Sequence, residues 1–495
     1  MSVRTTKTKS GATAVQVVRY EQGRTIIMKH IGSSNDPTRI SSLKETARDW
    51  IINFTRQQTL FAKEATFDPL FTRYRYLGTR HNFLYETLNE IFKLFGFDDL
   101  KSRLLLDLVL VRIVEPASKL RSQKLLSDLF GISYDLTSIY KSLKAIATLK
   151  EKVEGSLVKF ARENLNFDFA FVLYDVTTLY FESFTGDELR QCGFSKDNKA
   201  NQPQIVIGLL VQKDGFPLSF NIFPGNKFEG HTIIPVLTAL KDKYLIPSLT
   251  VVADAAMLSE NNIQAIKQAH FSYIVGARLG YLDLDTVIQI NRQLDFTDGT
   301  TIRIPSTKGV NSGFLICDFS SKRYLKDKSD TEKQIAKAQK VVGGELTPKR
   351  YKFLNFQKTG SSLNQKLIER TKLLWGIKGY ITDLSLPNQV VIDRYHDLWQ
   401  VEKSFRMAKS DLLMRPVYHF RREAIEAHIL ICVMALAVAR FMELKGGKSI
   451  RVLMESLKKI TDARVFNPAS GEEALWRVEI PEDIRVLLKD IGVTY

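Results

Sequence analysis

FAFVLYD, at residues 169–175, is a short continuous apolar run that ends in an acid, a pattern typical of a central buried strand. LTVVAD, at residues 249–254, repeats the pattern further along the chain. Parallel sheets bind their ligands at the carboxyl ends of their strands, so Asp175 and Asp254 are candidate site residues. An acid after a strand is also a common helix N-cap, and for Asp254 alone that interpretation is favoured.

The segment between and after these two runs predicts a hairpin and two helices. Lys213-Asp214-Gly215 is a strong turn signal between two apolar strands. The predicted elements are strands 205–211 and 217–223, a helix from about 232 to 243, a helix 260–269 and a strand 272–275. The resulting order of strand, hairpin, helix, strand, helix and strand matches an RNase H-like α/β core.

YHDLWQVEKSFRMAKSDL, at residues 395–412, predicts one helix with two stripes. The apolar stripe contains Leu398, Val401, Phe405, Ala408 and Leu412. The second stripe, about a quarter turn away, contains Tyr395, Glu402, Arg406 and Lys409. An ordinary surface helix with a solvated charged flank gives a similar wheel. A single acid with a phenol and two cations beside a buried face, however, suits a site that handles phosphate.

These residues resemble the glutamate helix of DDE transposases encoded by bacterial insertion sequences. The segment is similar to the branch whose signature is Tyr, two residues, Arg, three residues, Glu, six residues and Lys. Tyr395, Glu402 and Lys409 match this signature, while Leu398 stands at the Arg position. The family's Arg contact to transposon DNA is therefore not carried over to Leu398. Two nearby cations are candidates to replace it, Arg406 and Lys403.

The resemblance extends over about residues 104–444, because further short motifs follow in the family's order. Each motif is weak by itself, and their order is the strong signal. They are Tyr174–Thr178, Gly193–Asp197, Gly225-Asn226, Asp254–Leu258, Arg415–His419 and Ala427-His428.

The resemblance implies that Asp175, Asp254 and Glu402 are the catalytic residues and also the metal ligands. Three carboxylates suit two hard divalent cations, Mg²⁺ with Mn²⁺ as substitute, which promote phosphodiester cleavage and strand transfer. The implied partner is double-stranded DNA, as transposon ends and as target, bound by a homodimer. The candidate DNA contacts are Tyr395, Lys409, Arg406 and Lys403.

Two other functions stay open at this point. The first is a metal-dependent DNA nuclease without strand transfer, and the second is a catalytically inactive DNA-binding protein. The intact acids count against the second, while inverted repeats flanking the gene would favour a transposase over a nuclease. Asp383 is a further acid near the predicted core, but it lacks the stripes of the 395–412 helix.

The predicted fold class is α/β, with an RNase H-like catalytic core interrupted by a mainly β insertion and preceded by a largely helical N-terminal region. The predicted boundaries are a hairpin and helix module at 1–80, a helical region with a candidate DNA-binding role at 81–165, core segments at 166–276 and 376–445, the insertion at 277–375 and a C-terminal segment at 446–495. A helix-turn-helix pattern at 123–146 is weak, and plain helix packing is favoured there.

Composition sets the remaining expectations. The chain has 495 residues, 44% hydrophobic and 25% charged, which predicts a globular protein of several domains. A formal net charge of +17 favours a polyanionic partner, nucleic acid above others. Three scattered cysteines, a polar basic N-terminus and no long apolar run predict a reduced cytoplasmic location, near the nucleoid, without a membrane.

Overall fold

The computed structural model describes residues 1–493 except 22, 56–73, 168, 195–198, 200, 228–231, 245, 247, 256–259, 307–312, 348–350, 358–359 and 469. The chain divides into two compact units. One is Met1–Tyr76 with Val465–Ala474, and the other is Leu77–Arg464 with Leu475–Tyr495. All three cysteines are free thiols.

The N-terminal unit contains the predicted hairpin and helix, preceded by a strand that sequence reasoning missed. Its antiparallel sheet has the order β1-β2-β3 and packs on one helix through a small apolar core. Strand β1 escapes a pattern search because its side chains are mostly exposed and polar. The elements are β1 Ser2–Lys7, β2 Thr13–Glu21, β3 Arg24–Ser34 and α1 Pro37–Thr55. Strand β4, Arg75–Arg80, follows in the chain.

The prediction of a helical region before the main sheet is confirmed. It consists of α2 Asn82–Leu94, a 3₁₀ turn Phe97–Leu100, α3 Arg103–Val114, α4 Lys119–Leu125, a π-turn Leu126–Phe130, α5 Leu136–Ala147 and α6 Lys150–Asn164. The residues of the weak helix-turn-helix pattern form α4, a turn at Gly131 with φ 71°, and α5. A DNA-reading role for α5 stays a prediction.

One large mixed sheet dominates the second unit, with the strand order β10-β11-β14-β9-β8-β5-β6-β7. Strand β5 pairs antiparallel with β6 and parallel with β8, and β8 pairs parallel with β9. The predicted order of strand, hairpin, helix, strand, helix and strand is confirmed. Its elements are β5 Phe171–Tyr180, β6 Gln204–Val211, β7 Pro217–Pro224, α7 Ile233–Tyr244, β8 Thr250–Ala253, α8 Glu260–Gln268 and β9 Ser272–Ala277.

The segment 277–375 is not mainly β, contrary to the prediction. Helices occupy more of its described residues than strands do, and two of its strands extend the large sheet. Its elements are a 3₁₀ turn Leu279–Tyr281, α9 Leu284–Gln293, β10 Thr301–Ser306, β11 Gly313–Phe319, α10 Ser321–Val342, β12 Leu354–Gln357, β13 Gly360–Leu363 and α11 Gln365–Lys372. Helices α9 and α11 are only ten and eight residues long, so each spans too few turns for its apolar periodicity to identify a helix.

The chain then returns to the sheet and ends in helices and short strands. The elements are β14 Ile377–Thr382, α12 Asn388–His396, α13 Trp399–Arg406, a π-turn Met407–Asp411, α14 Arg422–Gly446, α15 Ile450–Lys458, β15 Asp462–Asn467, β16 Glu472–Arg477 and α16 Glu482–Asp490. By length and composition, α14 alone among the helices of the described residues is able to cross a membrane. It is a core helix here, since 94% of its most apolar window is buried.

Helix α13, which carries Glu402, docks on the turn between β6 and β7. The Ser404 hydroxyl donates to the Gly215 carbonyl at 2.7 Å. Arg440 of α14, only 1% exposed, donates to the Asp214 carbonyl and, at 3.1 Å, to the Gln400 side chain. A buried guanidinium needs such acceptors, so these contacts fix α13 against the sheet.

Gly215 permits this approach, because its φ is +78° and a Cβ there would lie 2.8 Å from the Ser404 hydroxyl oxygen. Gly299 is a matched control with φ +86° and nothing within 4 Å of a built Cβ. Gly299→Ala should cost about 1 kcal/mol of unfolding free energy from backbone strain alone. Gly215→Ala should cost about 1–3 kcal/mol more from overpacking. If Gly215→Ala and Gly299→Ala unfold at the same denaturant concentration, the docking of α13 on this turn is contradicted.

Candidate active site

Asp175 and Asp254 lie side by side at one edge of the parallel part of the sheet. Leu173 of β5 is aligned with Val252 of β8, so the two acids, each two residues further along, stand at the same level. The prediction that the first strand ends at Asp175 is wrong. Strand β5 runs on to Tyr180, because its antiparallel pairing with β6 continues after the parallel pairing with β8 stops.

Glu402 reaches the same place from helix α13. The single helix predicted at 395–412 is in fact two helices and a π-turn, with a break at residues 397–398. The apolar stripe is buried as predicted, apart from the half-buried Leu398 at the break. The break puts Glu402 in the first turn of α13, where the helix dipole stabilises a negative charge.

The three acids line one cavity of about 420 Å³, which we call the carboxylate cavity. Its lining consists of Tyr174, Asp175, Asp254, Lys378, Tyr395, His396, Leu398, Trp399 and Glu402. The structure thus brings together the three predicted acids and one predicted DNA contact, Tyr395.

Carboxylate oxygens are the ligands that Mg²⁺ and Mn²⁺ prefer, so the chemistry of this donor set fits divalent cations. In the part of the chain that the structure describes, no group of three or more His, Cys, Asp or Glu side chains is close enough to hold a metal ion. The acids therefore share a cavity without forming a closed ligand set. The Ala256–Leu258 part of the second aspartate motif and Ser195–Asp197 of the hairpin-flanking motif lie outside the described residues.

The Tyr395 phenol lies close to Gly276 of strand β9. Gly276 makes this approach possible, since a Cβ there would lie 2.5 Å from the Tyr395 phenol oxygen. Burial raises the pKa of Tyr395 to about 12, and the negative charges of Asp254 and Glu402 add to the effect. The phenol is therefore a neutral hydrogen-bond donor at the side of the cavity.

Lys378 lines the carboxylate cavity and is a residue that sequence reasoning missed. Its ammonium lies 4.5 Å from the centroid of the Tyr395 ring and 5.4 Å from that of Tyr380. Burial and the nearby Arg323 charge lower the pKa of Lys378, while Asp318 and Glu402 oppose this shift. The available signal was a lysine inside the otherwise apolar strand 377–382.

The other predicted DNA contacts lie elsewhere on the glutamate segment. Lys403 forms an ion pair with Glu443 at 3.6 Å, Arg406 is exposed, and Lys409 is half-buried in the π-turn. Among the described residues that line the carboxylate cavity there is no Lys403, Arg406 or Lys409. Leu398, at the position of the signature Arg, does line it.

Asp383 does not line the carboxylate cavity. Its carboxylate accepts a hydrogen bond of 3.0 Å from the backbone N–H of Tyr273, near the start of β9. Asp254 follows the end of β8, which runs parallel to β9 with Ala253 aligned to Val275. The two acids therefore stand about three residues, or about 10 Å, apart along the sheet.

Comparison with known proteins identifies the family of this chain. The sequence profile of the family described as "Transposase DDE domain" matches residues 168–438, more than half of the chain. The chain belongs to this family. No curated protein matches the sequence. Among solved structures, the chain is similar to a piggyBac transposase synaptic complex with hairpin DNA, studied by cryo-EM. The identity is 11%, the TM-score is 0.39, and 77% of this chain and 81% of that one are covered.

The pKa values of Tyr395 and Tyr273 can show whether Asp254 or Asp383 faces the carboxylate cavity. The pKa of Tyr273 is also raised to about 12, by burial and then by Asp383. Asp254→Asn should lower the pKa of Tyr395 and leave Tyr273 unchanged, whereas Asp383→Asn should do the reverse. The measurement is the ionised fraction of each phenol at one alkaline pH, by NMR of ring-labelled tyrosine assigned with Tyr→Phe variants. A shift of Tyr395 in Asp383→Asn would refute this placement of the acids.

Proposed function

We propose that this protein is a DNA transposase that binds the ends of its insertion sequence and catalyses metal-dependent cleavage and strand transfer. The observation that carries the proposal is that Asp175, Asp254 and Glu402, from three separate elements, line one cavity. Membership of the transposase DDE domain family supports the same conclusion.

The proposed catalytic core is RNase H-like and includes residues 166–276 and 376–445. Support comes from the order β7-β6-β5-β8-β9 within the large sheet, with an antiparallel hairpin on one side of β5 and parallel strands on the other. Residues 277–375 are the proposed insertion. Asp175 and Asp254 then stand just beyond the point where the parallel pairing of β5 and β8 ends, which is the edge at which such sheets bind their ligands.

Asp175, Asp254 and Glu402 are the proposed ligands of two divalent ions, Mg²⁺ or its substitute Mn²⁺. Ions bound there would activate an attacking water or 3′-hydroxyl and stabilise the leaving oxygen. Tyr395, kept neutral by its raised pKa, donates a hydrogen bond toward a phosphate at the cavity.

Lys378 is the proposed replacement for the signature Arg that this chain lacks at Leu398. It lines the carboxylate cavity together with Leu398, whereas Lys403 is paired with Glu443. Lys378 belongs to strand β14. It would add positive charge beside a bound phosphate without a cation at position 398 of the glutamate segment. Neither Arg406 nor Lys403 is then needed for that role.

The proposed partner is double-stranded DNA, as transposon ends and as target, bound by a homodimer. The net charge of +17 supports a polyanionic partner. The resemblance to the branch with the Tyr–Arg–Glu–Lys signature favours an insertion-sequence enzyme, with Leu398 as its departure from that branch.

Replacement of any one of the three acids by Ala should reduce both cleavage and strand transfer to background, roughly 10³-fold or more. Residues that act as one unit are not additive, so the triple variant should be scarcely worse than a single one. Binding to the transposon end should largely survive, because cations supply most of the affinity. The assays are cleavage and strand transfer of a labelled end, with a parallel binding titration.

Asp383→Ala is the matched control, since this acid lies outside the carboxylate cavity, and it should cut normally. Mn²⁺ should support activity in the wild type, while Ca²⁺ should allow binding with little chemistry because its coordination is longer and looser. Near-normal cleavage by Glu402→Ala would remove the proposed function of helix α13. Cleavage without strand transfer in the wild type would instead identify a nuclease.

Lys409→Ala should weaken binding to the cognate end and flatten its dependence on salt by about one unit of slope. Lys403→Ala should change the slope less, because the Lys403 ammonium is already paired with Glu443. The measurement is the dissociation constant over a series of salt concentrations. An unchanged slope in Lys409→Ala would show that this lysine never meets DNA phosphate.

A further inference from the structure

A second cavity, of about 520 Å³, opens beyond the C-terminal end of the glutamate segment. We call it the Lys119 cavity. It shares no lining residue with the carboxylate cavity. The polar side chains that matter for its chemistry are Arg112, Lys119, Tyr140, Arg415, His419 and His428.

The charges in the Lys119 cavity are all of one sign. Arg112 is 4% exposed and Lys119 is 3% exposed, yet no carboxylate occurs among the described residues of the lining. Among the described residues, Arg112 donates only to backbone carbonyls, those of Leu412, Leu413 and Ala117. Burying two cations without an anion is costly, which points to an anion that completes the site.

Lys119 is the more unusual of the two cations. In the part of the chain that the structure describes, no residue accepts a hydrogen bond or ion pair from its ammonium. Burial and the neighbouring Arg112 charge lower the pKa of Lys119 to about 7. An anion beside it would offset both effects.

His428 supplies an independent sign of a missing ligand. The residue is 5% exposed, and its Nε2 lies 3.0 Å from the Met414 carbonyl, to which it donates. Its Nδ1 atom is buried without any partner among the described residues. Burial first, and then the charges of Arg112 and Lys119, lower the pKa of His428. An anion beside the two cations would offset the second effect and favour a proton on Nδ1, which the ring would then donate to the anion.

The rim of the cavity carries exposed aromatic side chains and borders a basic helix face. Tyr140 and Tyr418 are 47% and 63% exposed, and the Tyr140 ring lies 6.3 Å from the His419 ring. Tyr140 belongs to α5, whose outward side also exposes Thr137, Ser138, Lys141 and Lys144. Phosphate with its ester chain therefore has a route from the buried cations to a basic surface.

We propose that the Lys119 cavity is a phosphate-binding site and that a backbone phosphate of DNA occupies it when DNA is bound. The phosphate-binding site is inferred from the buried cations and His428 alone. Its occupation by a DNA phosphate rests on the proposed function. A DNA phosphate bound in the Lys119 cavity would hold the DNA at the C-terminal end of the segment that carries Glu402.

Lys119→Met tests the site, with Lys141→Met as control for the same loss of charge on an exposed position of α5. Without phosphate, Lys119→Met should raise the melting temperature, because it removes an uncompensated buried charge. Inorganic phosphate at constant ionic strength should raise the melting temperature of the wild type and of Lys141→Met, and not that of Lys119→Met. Equal stabilisation of all three proteins by phosphate, or of none, would overturn the site.

The source of the phosphate is decided by a second titration, with a labelled duplex in the absence of metal. If DNA supplies it, Lys119→Met should weaken binding about tenfold and lower the salt slope by about one. Unchanged DNA affinity together with lost phosphate stabilisation would overturn the occupation by a DNA phosphate and leave a site for free phosphate. A wild type that binds no DNA but is stabilised by phosphate would refute the proposed function and not this site.

Discussion

The docking of helix α13 on the β6–β7 turn is the contact on which the arrangement of the acids depends. Asp175 and Asp254 are placed by strand register, but Glu402 belongs to a helix more than a hundred residues further along the chain. Arg440 donates hydrogen bonds both to the turn and to that helix, and Ser404 of the helix donates to the Gly215 carbonyl. The guanidinium is paired with Glu443 of its own helix at 3.1 Å, so loss of the Asp214 or the Gln400 acceptor leaves a buried donor unsatisfied.

The carboxylate cavity contains a positive charge as well as its three acids. Three carboxylates repel one another, and the ammonium of Lys378 and the phenol of Tyr395 line the same cavity. Lys378 offsets only part of the negative charge of the three carboxylates, and divalent ions bound there would offset the rest. The Lys119 cavity has the opposite composition, with buried cations and no acid among its described lining residues. In our two proposals the acidic cavity binds metal ions and the basic cavity binds phosphate.

The sequence predicted strands β5 and β8, apart from the end of β5, because a buried parallel strand appears in the local sequence as an apolar run before a polar residue. Glu402 came from the resemblance together with its helical spacing. Lys378 was not predicted, since its place depends on β14 pairing with β9, a contact between residues about a hundred positions apart. The break before Trp399 was also missed, because nothing such as Pro or Gly marks it in the sequence.

The most direct test of the central claim is a crystal structure with Mn²⁺, located by its anomalous scattering. We predict anomalous peaks in the carboxylate cavity, with Asp175, Asp254 and Glu402 all as ligands and Asp383 still bonded to the backbone of Tyr273. Manganese bound without Glu402, or bound at Asp383, would contradict the account, because α13 would then not complete the metal site.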